Sequence, residues 1–367
     1  MRGRAPGTGN HISEWLGHRV YPRVRANATH FTRAEFGTCP FLTDSLGQRT
    51  PCVKGENSLG VCTVSSASNG RTQDWLVCPY RVVSSEIVRR ACEYIFGRTV
   101  PRAHPKPVTL LKVESEIAAF KAHVTRNGVG YLFFQDKLGG EISVLATPSS
   151  PEISFDITLV EIVPSPGGFA VNRYGVLEVQ TMDFHGSYSH AVQNLRDALR
   201  LHKGSFAKAL QSNMHWTAER VEGPNIANVF KRTFYQILLK FQLSRRGAAA
   251  GSVLAIPQAV WDSWQPFLGA PLVERAADGS YRLRADNQTS KSVDGTNAHI
   301  CVFDLDSNAP TAISPIRLTM VIRVTAEALS HHAFNIVPAR MLDSLSRNDF
   351  ILARIKSRLA SSWPDIK

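Results

Sequence analysis

The order of predicted elements indicates a mixed α/β protein whose β-sheet lies buried between helices. A helix is expected over 110–125, strands over 130–135, 153–163 and 174–182, and a second helix over 187–203. The strands are rich in β-branched and aromatic residues, and the helices repeat apolar residues every three to four positions. A helix, three strands and a helix in succession are typical of a mixed sheet covered by helices.

Further elements follow from the same patterns. Helices are expected over 84–96, from Pro224 to Gly247 and over 341–360, and strands over 252–257, 298–305 and 317–324, with a polar loop over 274–296. In the helix after Pro224, the apolar residues predict one buried face, and Lys231, Arg232 and Lys240 are expected outside it. The proline-rich run 101–107 is read as a linker.

The linker predicts two parts of the chain. Residues 1–100 form an N-terminal region with a cysteine module at about 36–80, and residues 101–367 form the core with the C-terminal strands and helix. The module contains four of the six cysteines among Gly, Ser, Thr and Pro. Such a segment is too poor in aliphatic residues to bury a core of its own, so it needs a cross-link such as a bound metal ion or disulfides.

The charge of the chain favours a polyanionic partner. Its 42 Lys and Arg residues against 30 Asp and Glu residues give a formal net charge of +12. Nucleic acid is the commonest partner of such basic proteins, although a basic composition alone does not prove binding. The sequence has neither an apolar run of roughly 18 residues nor a signal peptide at its start, so we expect a cytoplasmic protein without a membrane-spanning helix.

Polar residues on two predicted strands form the candidate catalytic site. Asp156 lies in the strand over 153–163, and Glu178 and Gln180 share one face of the next strand because side chains alternate along a strand. Two carboxylates on neighbouring strands suit Mg²⁺, which proteins hold with one or two carboxylates plus substrate oxygens and water. Glu141, after the Gly139-Gly140 turn, is either a further carboxylate of this site or a solvated turn residue. The layout predicts a metal-dependent phosphodiesterase.

The cysteines indicate a second, structural metal site. Cys39, Cys52, Cys62 and Cys78 are spaced C-x12-C-x9-C-x15-C. In a reducing compartment such a cluster favours a tetrathiolate site over disulfides. Zinc and iron both accept four thiolates, so the residues leave the metal open, and four unrelated buried thiols remain the alternative.

Long motifs in the chain resemble those of the NotI-type restriction endonucleases. The motifs are FGTCPFLT, VKGE followed three residues later by GVC, DWLVCP, QDKLGGEIS, SSPEISFD, RYGVLEVQTMDFHGSY, EGPNIANVFKRTFYQ and AIPQAVW. The resemblance extends from His18 to about Trp261 and is weaker beyond.

The resemblance implies a fold, an activity and a set of site residues. The fold is a PD-(D/E)xK core with a mixed sheet flanked by helices and a small metal-binding domain with four cysteine ligands. The activity is that of a homodimeric type II enzyme of a prokaryotic restriction-modification system, which cuts a GC-only palindrome of six to eight base pairs with Mg²⁺. The resemblance places metal-binding carboxylates at Asp156 and Glu178, a further acid at Glu141 and the usual lysine position at Gln180. It makes Cys39, Cys52, Cys62 and Cys78 ligands of one iron.

Gln180 departs from the superfamily pattern, because an amide cannot carry the positive charge of lysine. Two other functions stay open: a non-catalytic DNA-binding module built on the cysteines, and a repair or junction nuclease that recognises DNA shape. A methyltransferase is disfavoured, since the chain lacks an Asn/Asp-Pro-Pro-aromatic motif. Reading guanine in the major groove calls for Arg or Lys, and Arg81, Arg89, Arg90 and Arg173 are candidates.

Overall fold

A computed structural model describes most of the chain. The described residues are 9–31, 37–68, 71–83, 86–97, 105–243, 247–271, 273–277, 279–283, 298–348, 350–360 and 362–363. They form a four-stranded sheet, a nine-stranded mixed sheet and a two-stranded hairpin, with helices between them. The predicted α/β class is confirmed.

The small sheet is antiparallel and lies in the N-terminal part. Its strands are β1 (His11–Trp15), β2 (His18–Arg19), β3 (Val61–Ser68) and β4 (Arg71–Leu76), in the order β2-β1-β3-β4. Helix α1 (Pro40–Leu46) lies between β2 and β3 in the chain. Cys62 lies in β3 and Cys78 follows β4, so this sheet positions half of the cysteine module.

The large sheet and the hairpin contain the other strands. In chain order these are β5 (Lys106–Pro107), β6 (Gly130–Gln135), β7 (Ile142–Val144), β8 (Ile153–Phe155), β9 (Ile157–Ser165), β10 (Gly168–Val179), β11 (Ala249–Pro257), β12 (Val273–Arg275), β13 (Tyr281–Leu283), β14 (Ala298–Leu305) and β15 (Ile316–Arg323). Strands β7 and β8 form the hairpin, and the large sheet has the order β12-β13-β15-β14-β11-β10-β9-β6-β5. Its central pairs β10–β11 and β11–β14 are parallel, while β9–β10 and β14–β15 are antiparallel.

Helices cover both faces of the large sheet. The helices after α1 are α2 (Glu86–Phe96), α3 (Glu114–Asn127), α4 (Ser189–Leu201), α5 (Phe206–Ser212), α6 (Ile226–Leu243), α7 (Gln258–Leu268), α8 (Ala326–His331), α9 (Val337–Asn348) and α10 (Phe350–Ala360). In β11, Val253 and Ala255 share an apolar cluster with α2, whereas Leu254 and Ile256 pack with α6 and α7. Both faces of the central strand are therefore buried, as a near-continuous apolar run predicts.

Several predicted elements differ from the observed ones. The strand expected over 153–163 is interrupted by a bend at Asp156, and the helix expected over 110–125 begins only at Glu114, after a 3-10 turn over Val108–Lys112. The helix expected over 341–360 is two helices, and the expected loop over 274–296 contains β13 and part of β12; residues 284–297 lie outside the described part of the chain.

The linker prediction is wrong at its C-terminal end. Residues 101–104 lie outside the described residues, but Lys106 and Pro107 pair with β6 as the edge strand of the large sheet. Proline is tolerated at a sheet edge, where its missing N–H is not required by a neighbouring strand. Helix α2, which precedes this segment, packs on β10 and β11 and shares an apolar cluster with Cys39, Cys62 and Cys78. The division near residue 100 stays a prediction, and the parts on either side of it share one apolar core.

A buried ion-pair network fastens the small sheet to the segment before β15. Glu14 accepts hydrogen bonds from Arg81 Nε at 2.9 Å and Nη2 at 3.1 Å, and its side chain is fully buried. Arg19 bonds Asp74 at 2.6 Å and the Ser314 hydroxyl at 2.7 Å. Burial opposes the charge of Glu14, but Arg81 and Arg19 outweigh it and lower the pKa of this carboxyl. Each charge depends on its partners, since an unpaired buried charge is costly.

We expect Glu14→Gln to destabilise the fold by about 3–5 kcal/mol, because it leaves Arg81 buried without its counter-charge. Urea unfolding of the variant measures this loss. Asp197→Asn is the matched control: it removes an exposed carboxylate paired with Arg200 at 3.1 Å, and its cost should stay within about 1 kcal/mol. Equal stability of the two variants would contradict the structural role given to the network.

Among the described residues, no helix combines the length and the apolar character that crossing a membrane requires.

Candidate functional site

The register of β9 and β10 places Asp156 beside Glu178. The two strands are antiparallel with Ile157 opposite Leu177, and the next position on each strand is Asp156 and Glu178. The Asp156 amide N–H donates to Glu178 Oε1 at 3.3 Å, and Asp156 Oδ2 accepts from the Val179 N–H at 2.9 Å. The chain bends at Asp156, and at the end of the ladder each of the two predicted carboxylates accepts a backbone N–H from the other strand.

Glu178 is the buried member of this pair. It is 8% exposed. Burial and the neighbouring Asp156 carboxylate raise the pKa of Glu178 to about 8, against the opposing effect of Lys240. Two carboxylates held this close repel each other when both are ionised, and a cation between them relieves that repulsion.

Glu141 belongs to the same electrostatic cluster, although it is exposed and lies on a loop. Gly139 and Gly140 form the predicted turn with φ of +108° and +87°, values that other residues rarely adopt. A Cβ at Gly139 would also meet Val108 Cγ1 at 2.2 Å. Partial burial, together with the charge of Asp156, raises the pKa of Glu141. Glu141 is therefore influenced by the charge of Asp156, but within the described residues it does not join the pair in a three-ligand group.

Gln180 is buried, but its side-chain amide is hydrogen-bonded to the backbone of the next residue. The amide nitrogen donates to the carbonyl oxygen of Thr181, and the Gln180 N–H donates to Ala255 at 2.9 Å. Gln180 follows the last residue of β10, and the structure gives its amide a local partner instead of the carboxylates.

The prediction for Lys240 is wrong. Lys240 lies on the buried side of α6, is 3% exposed, and its Nζ contacts Glu178 Oε2 at 2.6 Å. Its position between Leu239 and Phe241 in the run ILLKF was the available signal, because a lysine in an apolar helix segment needs a buried acid as partner. The partner is found only when the helix is docked on the sheet.

A cavity opens beside these residues. It has a volume of about 390 Å³ and is lined by Asp156 and Lys240 together with Pro151, Glu152, Ile153, Ser154, Tyr235, Gln236 and Leu239. One wall comes from β8 and the segment before it, and the opposite wall from α6. A phosphate group entering this cavity would meet a carboxylate on one side and an ammonium on the other.

A larger cavity of about 790 Å³ lies elsewhere, between β1 and α4, and Arg196, Arg200 and Lys203 contribute to its lining. Its one acid, Asp197, is bonded to Gln193 and Arg200 at 3.0 and 3.1 Å. It lacks the close acid pair of the smaller cavity, so size alone does not make it the site of chemistry.

The arginines proposed as base readers are held by acids. Arg81 is buried against Glu14, which removes it from any DNA surface. Arg89 and Arg90 both pair with Glu86 and Glu93 along α2. Arg173 bonds Glu161 at 3.0 Å, and that acid is fully buried. These pairs explain why a basic residue near a site in sequence need not face its ligand.

The first two cysteines of the module are brought together by a short β-bridge. Thr38 pairs with Pro51, the Cys39 N–H donates to Thr50 at 2.8 Å, and the Cys52 N–H donates to Gly37. The other two lie at the same end of β3 and β4, where the Val77 N–H donates to the Cys62 carbonyl at 3.0 Å.

The four sulfurs sense one another's charge. Burial raises the pKa of the Cys39 thiol to about 11, and Cys78 and Cys52 add to this rise. The pKa of Cys62 is likewise raised by burial and by Cys78 and Cys39. The other cysteines of the group therefore contribute to the raised pKa of Cys39 and Cys62.

The surroundings of the thiols suit thiolate ligands. Cys39 and Cys78 both precede a proline and an aromatic residue, and the backbone N–H groups two and three residues after each of them lower its pKa, against the larger effect of burial. Lys54 donates to the carbonyls of Val61 and Val77 at 2.8 and 2.9 Å. Burial raises the pKa of Cys62 and Cys78, and the charge of Lys54 opposes this rise. Four cysteines are the kind of ligand that a tetrathiolate metal requires, but no group of three or more ligand-type side chains within the described ranges is arranged to hold an ion.

No family model matches the chain, and no curated protein matches it either. The resemblance to the NotI-type enzymes therefore stays an expectation. The function has to be argued from the residues and from the geometry of the site.

Proposed function

We propose that this protein is a type II restriction endonuclease of the PD-(D/E)xK superfamily. It makes Mg²⁺-dependent double-strand cuts at a GC-only palindrome of six to eight base pairs. The observation that supports this proposal is the placement of Asp156 and Glu178 side by side at the end of a ladder in a mixed sheet, where the Asp156 N–H donates to Glu178 Oε1 at 3.3 Å and the Val179 N–H donates to Asp156 Oδ2 at 2.9 Å.

The donor set fits magnesium. Mg²⁺ is held by one or two carboxylates together with substrate phosphates and water, so a pair of acids with an open cavity beside it is sufficient. Asp156 and Glu178 are the proposed ligands, and Glu141, which the charge of Asp156 influences, is proposed as a further acid of the site. When bound, Mg²⁺ supplies a Lewis acid for the phosphate and lowers the pKa of the attacking water.

DNA is the proposed substrate because the chain carries a net charge of +12 and the cavity has both an acid and an ammonium in its walls. Contacts to the phosphate backbone supply most of the affinity for DNA and position the protein, whereas contacts to base edges specify the sequence. In the proposed protein the cysteine module holds one structural iron or zinc.

Incubation with plasmid DNA and Mg²⁺ tests this proposal. We expect discrete fragments whose sequenced ends share one GC-only palindrome. A smear of fragments with unrelated ends would indicate a repair or junction nuclease. Binding without cleavage would indicate a DNA-binding module, and either result would overturn the proposal.

We expect the active species to be a homodimer. Each chain offers one Asp156–Glu178 pair, and cutting both strands of a palindrome calls for two identical sites related by a two-fold axis. Sedimentation of the protein on a cognate duplex measures the stoichiometry. A single chain per duplex at concentrations that give cleavage would contradict the expectation.

A further inference from the structure

Lys240 has an unusual position for its residue type. It is 3% exposed and lies three residues before the end of α6, over the ring of Phe155 at 5.9 Å from the centroid. Burial of an ammonium is costly unless a charge or hydrogen bonds compensate for it. The compensation is the contact with Glu178 Oε2 at 2.6 Å.

This contact holds the ammonium at the edge of the cavity. Lys240 and Asp156 both line it, and Glu178 lies behind them, bonded to Lys240 through one oxygen and to the Asp156 backbone through the other. Among the described residues of the cavity wall, Lys240 is the one that carries a positive charge. Burial and the charge of Asp156 raise the pKa of Glu141, and the charge of Lys240 opposes this rise.

The cavity wall contains more acidic than basic side chains, which is unfavourable for a negatively charged phosphodiester. Glu152 and Asp156 line the cavity and Glu178 lies beside Asp156, so a phosphodiester here meets several acids. Negative charge develops on the phosphate oxygens as water attacks and on the leaving oxygen as its bond breaks. A preorganised cation in a site shielded from water stabilises such developing charge strongly. Gln180 does not supply it, because its amide nitrogen is neutral and donates to Thr181.

We propose that Lys240 is a catalytic residue of this site, whose ammonium contacts a non-bridging oxygen of the scissile phosphate. The inference rests on the proposed endonuclease function and assigns the positive charge of that site to helix α6 instead of to the strand position at Gln180. In the free protein Glu178 holds the ammonium in place; in the complex the phosphate shares it.

Two neutral variants test the role of the charge. Lys240→Met removes the ammonium, and Lys240→Gln removes the charge but keeps a donor for Glu178. Lys231→Met, on the exposed side of the same helix, is the matched control. Cleavage in Mg²⁺, binding of the cognate duplex in Ca²⁺ and titration of the DNA-free protein with Mn²⁺ are measured for each, with thermal unfolding as the check on folding.

We expect both Lys240 variants to cut at least about a hundredfold more slowly than the wild type, as for the loss of one preorganised electrostatic contact. Binding of the duplex in Ca²⁺ should weaken by less than about tenfold, since most phosphate contacts lie elsewhere. Mn²⁺ should bind the DNA-free variants at least as tightly as the wild type, because Lys240 competes with the cation for Glu178. Lys231→Met should match the wild type in cleavage and in Mn²⁺ binding.

Two results would overturn the inference while leaving the endonuclease proposal intact. Near wild-type cleavage by a Lys240 variant would remove the need for its charge. Mn²⁺ binding that falls in parallel with cleavage would show that Lys240 only orients Glu178. If Lys240→Met does not fold, cleavage by Lys240→Gln alone tests whether the charge is required. If the wild type itself does not cut DNA, the endonuclease proposal fails, and the inference fails with it.

Discussion

The Asp156→Asn variant is expected to bind cognate DNA as tightly as the wild type and to lose cleavage by at least about a thousandfold, more than loss of a single electrostatic contact costs. An asparagine keeps the side-chain volume and an oxygen that can accept the Val179 N–H, so the bend at this position should survive. What it removes is the charge that binds the catalytic metal. Affinity for DNA is set by phosphate and base contacts elsewhere, and relief of repulsion favours binding by the variant.

A gel-shift titration in Ca²⁺ beside a cleavage assay in Mg²⁺ separates the two effects. Glu178→Gln should behave in the same way, because it removes the second proposed ligand. Asp262→Asn is the control: this exposed acid of α7 accepts a hydrogen bond from Gln258 at 2.8 Å, and its loss should leave both assays unchanged. Cleavage by Asp156→Asn at a near wild-type rate would refute the catalytic assignment.

The elements that were predictable are those whose sequence pattern is local. Strand β6 was predicted with its observed bounds, and so was β14, because short apolar runs between turn residues are recognisable without knowledge of their neighbours. The break at Asp156 was not predictable. It depends on the contact between this residue and the Val179 N–H across the sheet.

The candidate site was only partly predictable for the same reason. Asp156 and Glu178 lie on strands that are adjacent both in sequence and in the sheet, so the expectation that the strands pair was enough to bring the acids together. Lys240 comes from a helix 62 residues after Glu178, and its apolar neighbours in sequence do not indicate which acid is its partner. Arg81 illustrates the opposite error. It is a basic residue expected at a DNA surface, but it is buried in an ion pair with Glu14 of the small sheet.

We expect the purified protein to contain about one iron or zinc ion per chain, since a tetrathiolate site is completed by four ligands. Cys78→Ser should lose this metal and much of the stability of the fold. The free energy of binding a structural zinc ion is about 10–16 kcal/mol and appears largely as folding free energy. Burial raises the pKa of the Cys78 thiol, so a bound metal has to displace its proton, and serine is a poor substitute as a ligand.

The consequence for function should be joint loss of DNA binding and cleavage. The module shares its apolar cluster with α2 and the large sheet, so its unfolding exposes the core below it. Cys92→Ala is the control: this buried cysteine lies outside the group of four, and its replacement should leave the metal content unchanged and cost only the packing of one sulfur. Elemental analysis measures the metal content of both variants, and thermal unfolding measures their stability. A wild-type protein that is metal-free and as stable as the metal-loaded form would leave the four cysteines as buried thiols without a structural ion.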